Sequence, residues 1–487
     1  PGTHVFVPLE EVILASLPRL YAGLEVVRAH TFRVTRSANI RLDDVAARDV
    51  LQLVEEEVAR RPFRPVVRLE VEDSMPADVR DLILRELQYE VPGVVSTLGD
   101  GDVHPVDWLV DLAALRQIAA VDRPDLRFPP HARTVPIPTD RPILDTIRER
   151  GRLVRFPDHA FDATVERFLA EAADDPDVLA IKLTLYRTNP ASRVVRALAR
   201  ARAAGKEAFA LVELKASFDE RRNIEWARSL EAAGIHVVFS PLEYKVHAKI
   251  ALIVRREHDD IRRYVYIGTG NLNAATAASY TDIGLLSADP DLAGEVGAVF
   301  NVLTGYSAGA EFRHLLVSPF NMRARFLELI EREIVHARAG RSARIRAQMN
   351  GLSDRQMIAA LYRASRAGVR IDLAVREICA LRPGVPGASE NIRVTSLLGR
   401  MLQHARIFCF HNDGSPEFFI GSADWRPRNL SRRVEVATPV RDPEHAALLD
   451  RALDEIIDHP EAWTLRPDGA YVRGAEVIGG RPIGDEP

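Results

Sequence analysis

From position 194 the chain reads VVRALARARAAGKEAFALVELKA, with apolar residues recurring every three to four positions up to Gly205 and then closing into a short apolar block. The first period is that of an amphipathic helix, Gly205 supplies its stop, and the block predicts a buried strand in a βαβ-type order. From position 357 the order recurs as MIAALYRASRAGVRIDLAVREIC. Gly368 answers Gly205 and Arg376 answers Glu213, each 163 residues on. Further along, His247 in VHAKIALIV is answered by His404 in QHARIFCF, 157 residues on, and IGTGN at 267–271 by IGSAD at 420–424. Four features repeated in one order predict two similar α/β halves carrying one histidine each.

Residues 1–133 pattern differently. A helical period in VAARDVLQLVEEEVARRP stands beside strand-like VVRLEV, and the segment ends in proline-rich RFPPHARTVPIPTDRP. The expected organisation is a partial mixed α/β domain at 1–133, followed by α/β catalytic domains at 134–314 and 315–487. At 487 residues the chain exceeds what one core usually supports.

Composition narrows the classes. With 47% hydrophobic and 28% charged residues the chain is an ordinary globular one, and a net charge of −4 argues against a generally basic nucleic-acid binder. Charge is uneven, however: Arg400, Arg406, Arg426, Arg428, Arg432 and Arg433 crowd one stretch that suits a polyanion. No apolar run reaches the roughly 18 residues of a membrane span, and the start resembles no signal peptide; without an initiator Met the chain is expected to be a fragment. Cys379 and Cys409, the two cysteines, have no partner at metal-ligand spacing and are expected to be buried structural thiols in a reducing cytosol.

In VHAKIALIV, strand alternation puts Val246, Ala248, Ile250 and Leu252 on one face and His247 with Lys249 on the other. A neutral imidazole is a competent nucleophile, and an ammonium beside it steadies phosphate oxygens. His404 and Arg406 repeat the pair with a guanidinium that can hold phosphate in bidentate fashion. If the halves pack about a pseudo-two-fold axis the histidines face one another, one attacking phosphorus while the other handles a proton or steadies the leaving oxygen. The two glycine turns offer close backbone approach to phosphate, and Asn271 and Asp424 are candidates to orient an imidazole.

Paired His-x-Lys and His-x-Arg strands followed by glycine turns resemble the phospholipase D superfamily. Its hydrolases carry Asp after four further residues, where Val254 and His411 stand here. This departure, with IKLTLYRT, FDERRNIEWARSLEAAGIHVVFS, IGTGNLNAATAASYTDIGLLSADP, LRPGVPGASENIRV and IGSADWRPRNLSRRVEV, resembles the superfamily's polyphosphate kinase branch over about residues 140–455, and more loosely over the first domain. No string resembles that family's amino-terminal adenine-binding domain.

The resemblance implies two tandem phospholipase D-like α/β domains and reversible transfer of the terminal phosphate of ATP to inorganic polyphosphate through a phosphohistidine on His247. It places nucleotide contacts on Tyr280, Arg376 and His404, and Arg187 at a position assigned to magnesium. An arginine does not ligate a cation, so Arg187 is read as binding phosphate oxygens beside the metal. Magnesium with ATP is the implied cofactor, ATP or ADP and polyphosphate are the implied partners, and no nucleic acid is expected. A homo-oligomer in the cytoplasm or at the membrane periphery is the further expectation. Two alternatives stay open: a phosphodiesterase using the same histidines, and a weakly catalytic polyphosphate-binding protein. The departures that raise the second are Ser217 in place of a second arginine and Glu377 in place of the glycine after Arg376; the sequence also departs from the family pattern at Tyr266, where some members carry histidine, and in FPDHAF in place of HPYDSF.

Overall fold

The computed structural model describes residues 4–37, 56, 59, 63–89, 98–107, 109–185, 192–213, 227–239, 244–258, 260–305, 310–473 and 476–478. The chain forms two compact units, residues 1–129 and 130–487.

The first unit is built on a three-stranded sheet. Phe32–Arg36 runs antiparallel to Val66–Glu72, which runs parallel to Val103–Val106. Val66–Glu72 is the strand expected from VVRLEV; most of the helical pattern at 45–62 lies outside the described residues. Leu69, Val71 and Met75 form one small core and Val66, Leu84 and Leu98 another, with Leu84 supplied by the helix Ala77–Tyr89.

The second unit shows the duplication in its strand order. In the first half, His236–Phe239, Glu207–Val212 and Val178–Leu185 lie parallel, followed by Lys249–Glu257, Asp260–Gly268 and Tyr280–Ser287 in antiparallel succession. In the second half, Ile392–Ser396, Arg370–Val375 and Arg344–Met349 lie parallel, followed by Ile407–Phe410, Glu417–Gly421 and Arg433–Val440. The chain is thus α/β, as expected. The helices preceding the repeated strands are Arg193–Ala203 and Arg355–Arg366, started by the side chains of Ser192 and Asp354 and stopped where Gly205 and Gly368 take φ of +82° and +93°. Each such side-chain cap stabilises its helix by about 1 kcal/mol. Both halves then close on an Asp-Pro helix, Pro290–Leu303 capped by Asp289 and Pro443–Ile457 capped by Asp442.

The halves share one apolar core, in which Leu252, Val265 and Phe300 join Ile407, Phe418 and Leu453. They also exchange strands. Lys245–Val246, immediately before His247, pairs parallel with Arg433 and Val434 of the second half. Leu402–Gln403, immediately before His404, pairs parallel with Tyr280 and Thr281 of the first. VHAKIALIV is therefore not one strand, as alternation alone suggests: the chain crosses between sheets at His247 and Ala248 before Lys249–Glu257 begins. The predicted core face survives, because Val246, Ala248, Ile250 and Leu252 all enter the shared core.

Candidate active site

The exchange brings each histidine to a carboxylate of the other half. His247 Nδ1 lies 2.9 Å from Glu435 Oε2, and His404 Nδ1 lies 2.8 Å from Asp282 Oδ1. A carboxylate accepts, so each imidazole carries its proton on Nδ1 and its lone pair on Nε2. Each carboxylate is in turn held by a side-chain donor, Asn429 Nδ2 to Glu435 Oε1 at 2.6 Å and Thr269 Oγ1 to Asp282 Oδ1 at 2.6 Å. The cations follow the same symmetry at first: Lys249 donates to the His247 carbonyl, and Arg406 Nη1 to the His404 carbonyl at 2.7 Å.

There the symmetry ends. Arg406 Nη1 also lies 3.1 Å from His404 Nε2, and because a guanidinium only donates, the His404 lone pair is engaged. Arg406 is itself fixed by Asp424, with Nε 3.2 Å from Oδ1 and Nη2 3.3 Å from Oδ2.

Electrostatics join these groups into one cluster. Burial pushes His247 well below its ordinary value, and the charges of Lys249, Arg433 and Arg406 push it further, so the imidazole is neutral at physiological pH. Burial brings Lys249 down to about 7, with Arg406 and Arg433 acting the same way against Glu435. His404 is also lowered by burial, against the pull of Asp282. Burial alone would raise Asp282, but His404, Thr269 and Arg406 together outweigh it and hold the carboxyl below its usual range.

Of the residues expected at the site, His247, Lys249, His404 and Arg406 are brought together. Tyr280 joins them, half-buried at a strand start with its ring centroid 5.2 Å from that of His404. Arg376 is partly buried and paired with Glu377. Arg187 and Ser217 lie outside the described residues.

Two expectations need correction. Asn271 and Asp424 do not orient the imidazoles: Asp424 holds Arg406, and Asn271 Oδ1 is buried without a hydrogen bond among the described residues. Asp282 and Glu435 do that work, and sequence reading passed over them. A signal existed, since they sit 153 residues apart, as do Ile267 and Ile420, or Asp289 and Asp442. The glycines also have a steric duty: a Cβ on Gly270 would overlap the Asp282 carboxylate, and one on Gly268 would stand within 3 Å of the Tyr266 ring. The thiols divide as well. Cys409 is buried and Cys379 only partly, and burial pushes both up to about 11.

Comparison with known proteins bears on the whole chain. Residues 1–118 match the polyphosphate kinase middle domain, 142–309 its C-terminal domain 1 and 315–478 its C-terminal domain 2. The polyphosphate kinases of Mycobacterium avium and Streptomyces coelicolor are 49% and 44% identical over 96% and 99% of this chain. The chain spans 64% of the length of each. The crystal structure of the polyphosphate kinase from Porphyromonas gingivalis is 32% identical, with a TM-score of 0.79 over 97% of this chain and 68% of that one. The chain belongs to the polyphosphate kinase family.

Two departures from the polyphosphate kinase pattern now have a place. Tyr266 is fully buried and packs against Gly268 and Gly284, so it fills the core beneath the site. Glu377 is about half exposed and reaches two guanidiniums, that of Arg376 and, at 3.8 Å, that of Arg426.

Proposed function

We propose that this chain transfers the terminal phosphate of ATP reversibly to inorganic polyphosphate through a phosphohistidine on His247. The observation that carries the assignment is the state of His247, whose Nδ1 proton is held by Glu435 and whose pKa is depressed, as a neutral nitrogen nucleophile requires. In this reading His247 Nε2 attacks the γ-phosphorus in line, the bond to the β,γ-bridging oxygen breaks and ADP leaves. Lys249, Arg406 and Arg433 stabilise the developing charge on the equatorial oxygens, and the phosphoryl group then passes to the terminal phosphate of polyphosphate. His404, neutral and held by Asp282, contacts the transferring group or the leaving oxygen, and Tyr280 stacks on the base.

Magnesium enters this proposal with ATP, as part of the substrate. Among the described residues no group of three or more His, Cys, Asp or Glu side chains is placed to hold a metal ion. Asp282, Glu435 and Asp424 are committed to His404, His247 and Arg406. These residues do not fit a protein-held magnesium, and no step is routed through one. No helix among the described residues is long and apolar enough to cross a membrane. A homo-oligomer in the cytoplasm or at the membrane periphery completes the proposal.

Incubation with γ-labelled ATP tests the reading. Acid-labile, alkali-stable label on the protein, chased by polyphosphate into longer chains, is expected. Hydrolysis of a phosphodiester with no such label would instead support a phosphodiesterase, and polyphosphate binding without turnover a binding protein.

A further inference from the structure

Beyond the imidazole cluster a band of guanidiniums leads outward. Arg433 is close enough to His247 and Lys249 to influence both. Arg428 lies within electrostatic reach of Arg433, Arg426, Asp424 and Glu377. Among these cations stands the carboxylate of Glu377, which pairs with Arg376 through one oxygen and approaches Arg426 through the other. Backbone geometry fixes the spot: Glu377 N donates to Asn350 O at 2.8 Å, and Asn350 N donates to Asp424 Oδ1 at 2.8 Å, the carboxylate that holds Arg406.

Buried polar atoms of the residues along this path lack partners. Arg376 Nε and both side-chain polar atoms of Asn350 make no hydrogen bond among the described residues, although the Asn350 residue is only 3% exposed. Buried donors without partners are uncommon in folded proteins, and a bound anion is an acceptor for the Arg376 Nε–H and the Asn350 amide N–H.

We propose that Glu377 is a built-in competitor for a phosphoanhydride chain: on Arg376 and Arg426 its carboxylate occupies the position a substrate phosphate takes, and it must swing out before that phosphate binds. The proposal rests on the polyphosphate kinase reading for the identity of the anion. A carboxylate and a phosphate make the same bidentate demand on a guanidinium, so the two exclude each other. Glu377 has solvent to swing into, because 48% of its side chain is exposed. Affinity falls by the fraction of time the site stands open, so a pair closed nine-tenths of the time weakens binding about tenfold.

Calorimetric titration of the full chain with inorganic tripolyphosphate and, separately, with ADP at fixed ionic strength tests this. Glu377→Gln should bind at least one of them about tenfold more tightly than the parent chain, and Glu377→Asp, which keeps the charge but shortens the reach, should gain less. Adding Arg426→Ala should erase the gain. A gain confined to tripolyphosphate assigns the position to the polyphosphate chain, one confined to ADP assigns it to the nucleotide, and both outcomes support the competitor. Unchanged or weaker binding of both ligands by a Glu377→Gln protein with an unaltered unfolding midpoint overturns it. Because binding is measured without turnover, tighter binding in a chain that never transfers phosphate would retire the kinase reading alone. Transfer activity with unchanged affinity would retire the competitor alone.

Discussion

The two halves of the second unit share strand order, helix caps and strand exchange, yet they differ in the acid that meets each imidazole, in the residue behind that acid and in the cation two residues on. The first-half histidine meets glutamate, with asparagine behind it and lysine two residues on; the second-half histidine meets aspartate, with threonine behind it and arginine two residues on. The difference shows how a duplicated scaffold divides labour. Lysine has a tunable proton and a compact charge, whereas arginine is permanently charged and reaches back to engage the neighbouring lone pair. In the proposed reading one site keeps a nucleophile and the other a fixed donor array.

The strongest way to break this comparison is to remove each histidine in turn. His247→Ala should abolish protein labelling by γ-labelled ATP, while His404→Ala should slow turnover and still leave detectable label. Equal labelling of both variants would mean the division of labour is wrong. The next largest effect concerns the carboxylates, tested crosswise because each serves the opposite half. Glu435→Gln should slow label formation by roughly a hundredfold, through loss of the charge and of one of the two acceptor oxygens that His247 and Asn429 both need. Asp282→Asn should slow transfer to polyphosphate more than labelling. Rapid-quench measurement of the two steps separates them, and identical defects in both variants would argue that the carboxylates only support the fold.

Local pattern made much of this molecule legible. The helix, glycine and strand at 193–212 and at 355–375 follow from period and composition, and the two histidine motifs announce themselves by their apolar setting. What stayed hidden depends on contacts between distant segments. Alternation presents His247 and Lys249 as members of one strand, because nothing local reveals that Lys245–Val246 completes the other half's sheet. Asp282 and Glu435 each sit inside strongly apolar strands, where a single acid reads as an isolated polar position; only the cross-half pairing shows that each faces an imidazole. The glycines of IGTGN read as ligand-approach positions, yet Gly270 also keeps a Cβ out of the Asp282 carboxylate.

The cations give a third, smaller test. Burial lowers Lys249 to about 7, so its ammonium is present below that pH and lost above it, and turnover should fall by up to tenfold per pH unit on the alkaline side. The acid limb should lie below 6.5, because His247 must be neutral to attack and burial holds it well below that value. Lys249→Arg keeps its charge across the range, so whatever its maximal rate, its alkaline limb should disappear. A pH–rate profile with the same alkaline limb in both proteins would assign that limb to another group.

The smallest expected effect lies one residue further back, at Thr269, which is fully buried, donates to Asp282 Oδ1 at 2.6 Å and accepts from Ile283 N at 3.0 Å. Thr269→Val keeps the shape and removes both bonds. An unsatisfied buried amide costs about 1–3 kcal/mol, so the unfolding midpoint should drop by a few degrees, and turnover by no more than about tenfold because His404 keeps its carboxylate. The pH dependence distinguishes a bond to a charge from mere packing. Thr269 stabilises the ionised form of Asp282, whose pKa is lowered in the folded chain, so this contribution is present above the ordinary carboxyl value of 3.8 and is lost as pH falls through the lowered one. The gap between parent and variant midpoints should therefore be widest near neutral pH and should narrow in acid, as protonated Asp282 no longer needs the hydroxyl donor. A gap that stays constant from neutral to acid pH would show that Thr269 acts through packing and the Ile283 amide alone, leaving Asp282 to hold His404 without its help.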